Sequence, residues 1–206
     1  MRRALLLIPA LVPALSACST TSPDPGADPT TPATAEANGT EPGTALSYGD
    51  SATLVWQPTA SITGELELSV DEVAEQRPSV FDGWLRDDAM TASRAYFVTV
   101  TLTNTGEADL AGQAVPVYLR DDNGRLGAPW TLGGDFTACQ SGPLPSPFAA
   151  GAETEMCLVY LTPDRARIDA MVFEPSEGYD PIMWTGEVTE PARPGKDEPG
   201  KDRKSG

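Results

Sequence analysis

Adjacent carboxylates, Asp87-Asp88 and Asp121-Asp122, are the side chains in this 206-residue chain that come nearest to reaction chemistry. Two acids held close together can divide the roles of proton donor and nucleophile or base at a glycosidic bond. Both pairs fall in turn-rich segments, however, where neighbouring acids simply stay ionised in water. The chain contains no histidine. That removes the commonest general base, the usual partner of a hydroxyl or thiol nucleophile, and the commonest zinc and copper ligand. Met90, Met156, Met171 and Met183 are scattered singly, which suits core packing better than copper binding. No glycine-rich phosphate loop occurs. The sequence therefore predicts no catalytic residue, no metal-ligand set and no cofactor.

One stretch has the composition of a recognition surface. In Val80-Phe81-Asp82-Gly83-Trp84-Leu85 two large aromatics flank a flexible glycine, and loops on rigid β scaffolds carry much of their binding. Phe81, Asp82 and Trp84 form the candidate binding loop. The competing expectation, which takes precedence, is that Phe81 and Trp84 fold back and close one end of the core.

The N-terminus carries an address. Arg2 and Arg3 precede the apolar run Ala4 to Ala14, the layout of an export signal, and the run is too short for the about 20 apolar residues of a membrane span. It ends in Leu15-Ser16-Ala17-Cys18, which resembles a bacterial lipobox. That resemblance implies cleavage before Cys18, acylation of its thiol, and attachment to the lipid bilayer at the extracytoplasmic face of the cell membrane. An ordinary secretory signal, with Cys18 near its cut by chance, is the alternative. If Cys18 goes to lipid, Cys139 and Cys157 are the two remaining thiols in an oxidising compartment, and they have one intramolecular pairing. Their spacing is not C-x-x-C, so a structural disulfide is expected rather than a redox or metal pair.

Charge narrows the partners. From Leu46 to Gly186 there are 21 acidic residues against seven arginines and no lysine, so most of the formal charge of -16 lies in that segment. Such a field repels phosphate backbones and anionic headgroups, and no nucleic acid partner is expected.

These residues must be positioned by strands. Leu66, Leu68 and Val70 alternate with Glu65, Glu67 and Ser69, and Tyr96, Val98, Val100 and Leu102 alternate with Phe97 and three threonines; this is the period of half-buried strands. Val115, Val117 and Leu119 repeat the pattern beside Pro116, and Asn123-Gly124 predicts a hairpin turn after them. Thr154 to Leu161 is apolar on both faces and reads as a central strand. Ile168 to Phe173 and Ile182 to Trp184 supply the last strands. Arg77 to Ser93 reads as a long loop, and Gly127 to Pro147 as an irregular segment plugged into the core by Trp130 and Phe136. The result is an all-β, immunoglobulin-like sandwich of about seven strands.

The segments Tyr96 to Gly106, Asp122-Asn123-Gly124, Ala150 to Thr154 leading into Leu158 to Pro163, and Met171-Val172-Phe173 resemble, in that order, a family of immunoglobulin-like domains. These domains of unknown function occur on bacterial lipoproteins and exported proteins and are similar to the immunoprotective extracellular antigen fold. The resemblance spans roughly Thr53 to Glu187 and implies a fold without bringing site residues. The expected organisation is a signal peptide over residues 1–17, a Thr/Pro-rich disordered linker over 18–45, the sandwich over 46–187 and a charged disordered tail over 188–206. The expected role is a non-catalytic binding module for an unknown envelope protein or wall polymer. A structural envelope domain without a small ligand, and then an acidic metal-binding or hydrolytic domain, are the alternatives.

Overall fold

The computed structural model describes residues 39–84, 88–132 and 136–191. Cys18, Leu85, Asp87, the expected signal peptide, residues 18–38 of the linker and residues 192–206 of the tail lie outside them. The chain is all-β. Among the described residues ten strands form two sheets, ordered β1-β9-β8-β5-β6 and β10-β3-β4-β7, with β2 (Ser51–Thr59) also paired to β3. Three of the ten, β1 (Ala45–Ser47), β6 (Leu126–Gly127) and β10 (Val188–Thr189), have two or three residues, which leaves seven longer strands as expected.

The core follows from alternation. Along β3 (Ile62–Gln76) and β4 (Arg94–Asn104), Leu66, Leu68, Val70, Tyr96, Val98, Val100 and Leu102 are buried. They meet Leu119 of β5 (Tyr118–Asp121), Met171 and Phe173 of β8 (Ile168–Phe173), and Ile182 and Trp184 of β9 (Ile182–Thr185) from the opposite sheet. Hydrogen bonds cross the sandwich where aromatic rings carry a polar tip into the core. The Tyr160 hydroxyl donates to the Val117 carbonyl at 2.8 Å, and the Trp184 indole N–H donates to the Asp50 carbonyl at 2.9 Å. Burial pushes the Tyr160 phenol well above its ordinary range.

Strand β3 runs on past Val70, the last residue of the expected alternation. A bulge between Val70 and Glu72 resets the phase, so that Val73 also turns inward. The carboxylate of Asp71, at the bulge, accepts hydrogen bonds from the hydroxyls of Ser69 and Thr101. Asn104, the last residue of β4, is fully buried: its amide donates to the carbonyls of Ala108 and Phe148 and its oxygen accepts from the Gly106 N–H.

Four expectations change. Residues 39–45, assigned to the linker, belong to the fold: the Thr40 N–H donates to the Thr53 carbonyl at 2.8 Å, and Ala45 pairs with Met183. Val188 and Thr189, assigned to the tail, pair in parallel with Val73 and Ala74. Both segments attach mainly through their backbone, which leaves no apolar period to read. Third, β7 (Glu153–Thr162) is an edge strand, not a central one. Its apolar outer face is covered by loops, and its free edge is closed by the Trp130 N–H donating to Val159 and by the Ser141 hydroxyl accepting from the Val159 N–H. Fourth, Trp130 is no core plug: its backbone makes that bridge while its side chain is 40 % exposed.

Candidate functional site

The candidate loop is built into the protein. Phe81 ends a short 3-10 turn, Pro78–Phe81, and is 1 % exposed. Its ring stacks on Phe136 at 5.4 Å and meets the Phe97 edge at 5.9 Å. Trp84, half-buried, lies edge-on to Phe136 at 5.4 Å. Asp82, between them, is exposed. The aromatics therefore pack as the first expectation had it, but in a different place. They cover the outer face of β4 and β7, forming a second apolar cluster with Ala95, Cys139 and Val159, instead of closing an end of the main core. Stacked on Phe136, edge-on to Phe97 and buried, the Phe81 ring has no face left for a ligand.

The disulfide joins Cys139 to Cys157, with Cα atoms 5.2 Å apart across a separation of 18 residues. Cys157 lies on the outer face of β7, so the bond staples the irregular segment holding Phe136 onto the sheet. Asp121 also serves the fold. It is buried, its Oδ1 accepts the N–H groups of Asn123 and Arg125 at 2.9 Å each, and Gly124 takes φ +77° to close the expected hairpin. Its Oδ2 makes no hydrogen bond and sits 4.0 Å from the Arg125 Nε. Met171 is fully buried, and Met156 packs against the same core. Among the described residues no group of three or more acidic or cysteine side chains could hold a metal ion, and no helix is long and apolar enough to cross a membrane.

Two clefts adjoin at Ala114, Val115 and Tyr118, apart from a smaller one of about 110 Å³ beside Asp121 and Arg125. One, of about 310 Å³, opens between Tyr118, Pro129, Thr131 and Pro143. The other, of about 240 Å³, opens between Tyr118, Trp56, Gln57, Gln113 and Pro175. Trp56 faces inward at the end of β2 because Gly64 opposite it has no side chain: a Cβ there would lie 2.7 Å from the ring carbons. Tyr118 is the first residue of β5 and stands between the two cavities. Among the described residues no charged side chain lines either cleft, although the surrounding domain is strongly acidic.

No protein-family model, curated protein or solved structure matches this chain. The site is therefore read from its own chemistry. The side chains of Trp56, Gln57, Gln113, Tyr118 and Thr131 make no hydrogen bonds among the described residues, so an indole N–H, two amides and two hydroxyls are available. Sequence periodicity misses these residues, since Gln113 and Thr131 lie in irregular segments and Tyr118 is an outward position on its strand. A signal was present: residues 111–119, 126–132 and 136–152 carry no charge in an otherwise acidic domain.

Proposed function

We propose that this chain is an exported, lipid-anchored protein whose sandwich is a non-catalytic binding module at the bacterial cell envelope. The observation that carries this reading is the pair of uncharged clefts at Tyr118, lined by rings and by polar groups with no internal partner. Ligand sites are mostly apolar concavities with a few convergent polar groups, and these have that make-up. Support for the address comes from the lipobox-like Leu15-Ser16-Ala17-Cys18 and from the disulfide, which suits an oxidising compartment. The resemblance to immunoglobulin-like domains of bacterial lipoproteins points the same way.

The test is photo-crosslinking in cells with the full chain carrying the crosslinker at Ala114, compared with its Cys18→Ala form. A defined envelope component recovered from the anchored chain, and lost in both Cys18→Ala and Tyr118→Ala, is the expected result. Recovery of nothing above background, or capture indifferent to Tyr118, overturns the binding reading. Metabolic labelling with a palmitate analogue checks the anchor separately: the label should enter the wild-type chain and be absent from Cys18→Ala.

A further inference from the structure

Resting on that reading of the clefts, we propose that their ligand is an uncharged glycan, held by the faces of Trp56 and Tyr118 and by the amides of Gln57 and Gln113. The first argument is electrostatic. In a segment with 21 acidic residues and seven arginines, two adjoining cavities with no charged side chain among the described residues that line them are a departure from the rest of the surface. A charged ligand would find no counter-ion there and would lose its hydration without compensation. The partner is neutral.

The second argument is hydrogen-bond type. A carboxamide offers two N–H donors and a carbonyl acceptor, and the hydroxyls of Tyr118 and Thr131 both give and accept. Sugar hydroxyls do the same, so each can pair as donor and acceptor at once. A proline-rich peptide in an extended helix presents carbonyl acceptors with few donors, and it would leave the Gln57 and Gln113 carbonyl oxygens unmatched. The aromatic residues fit the same choice, because the flat C–H face of a pyranose stacks on a ring that has an amphipathic edge. The cleft lined by Trp56, Gln57 and Gln113, about 240 Å³, is below the about 300 Å³ of the smallest usual ligand sites, and the adjoining one, about 310 Å³, extends it past that bound. With Tyr118 between two cavities, neighbouring units of a polymer can lie on either side of it.

The full chain is tested on an immobilised panel of uncharged glucans, galactans, mannans and arabinans, with a proline-rich decapeptide and an anionic polysaccharide alongside. Binding to at least one uncharged glycan is expected, with a change in tryptophan fluorescence on adding the soluble form. Affinity should fall by about tenfold or more in Tyr118→Ala and in the double change Gln57→Ala with Gln113→Ala, the scale of one or two lost hydrogen bonds or a stacked ring. Gln57 is exposed and Gln113 half-buried, and a thermal melt matching wild type shows that the double variant is folded. Silence across the uncharged panel overturns the proposal. So does binding indifferent to the double variant, or preference for the peptide or the anionic polymer. If crosslinking still finds a Tyr118-dependent protein partner while the panel is silent, the glycan assignment fails and the binding-module reading stands.

Discussion

The outer face of the strand pair β4–β7 is divided into two halves that differ in everything but backbone. At one end Ala95 pairs with Leu161 and Phe97 with Val159, and loops carrying Phe81, Trp84 and Phe136 lie over them. At the other end Thr101 pairs with Glu155 and Thr103 with Glu153, with Ser69 and Glu67 of β3 beside them, and Glu67, Glu153 and Glu155 are exposed. The change falls at Thr99 and Cys157, which face each other across the ladder, and Cys157 is the residue that holds the disulfide. The same sheet thus acquires a second core or a solvated surface according to the residues at its outward positions. A covalent tie sits at the frontier. Loops stay where apolar side chains give them something to bury, and the bond keeps the last of them from peeling away.

This division can be broken from the covered side. Phe81→Ala or Phe136→Ala should each lower global stability by about 3 to 5 kcal/mol, the cost of an emptied aromatic site, read by denaturant unfolding. The double change Cys139→Ser and Cys157→Ser should cost about 3 kcal/mol on the chain-entropy account and expose residues 130–141 to protease before the sandwich unfolds. An undiminished melting temperature in that variant would mean that packing alone holds the cover.

Alkaline pH separates the two cores in another way. Burial, then the nearby Tyr96 and Asp169, push the Tyr48 phenol from 10.0 up to about 12, while the outer cluster contains no tyrosine. A raised folded-state value favours the protonated form, so its contribution is complete below pH 10 and is lost as pH rises through about 12. The melting temperature should hold up to pH 10 and decline above it, and Tyr48→Phe should lessen the decline, the remainder coming from Tyr160 and Tyr96, whose phenols burial also raises. Smaller again is Trp84→Ala, at about 2 kcal/mol for a half-buried ring on the rim of the cover. Smallest of all, Glu155→Gln and Asp82→Ala should stay within about 0.5 kcal/mol, as for other exposed charges. A large loss from Glu155→Gln would show that the bare half is not simply solvated.

The strand part of the main core could be read from the chain because its residues obey a period of two: Leu66, Leu68 and Val70, or Tyr96 through Leu102, declare their inward face locally, whereas Leu110, Leu144 and Phe148 reach the same core from irregular segments. The outer cover could not. Phe81 and Phe136 lie 55 positions apart in irregular segments, and only their long-range docking makes them partners. That cover also explains why β7 looks central from its composition. The rule linking two apolar faces to a central position holds for β8, where Ala170, Met171, Val172 and Phe173 are all buried in mid-sheet. In β7 the second apolar face is matched to loops. The cleft at Tyr118 escaped for the opposite reason: its mark is an absence of charge spread over three segments, which no single window displays.

The first residues of the described chain engage both sheets in turn. Thr40 exchanges hydrogen bonds with Thr53 on β2, and five residues later Ala45–Ser47 lies parallel to β9 in the opposite sheet. In mechanical terms this is a divided load path. Tension entering at Gly39 along the strand direction reaches the Thr40–Thr53 pair first, then the rungs of β1 against β9, which it strains together in shear and not one by one. Pulled from Gly39, the domain would thus load one layer and then the other before the strands of the core are disturbed.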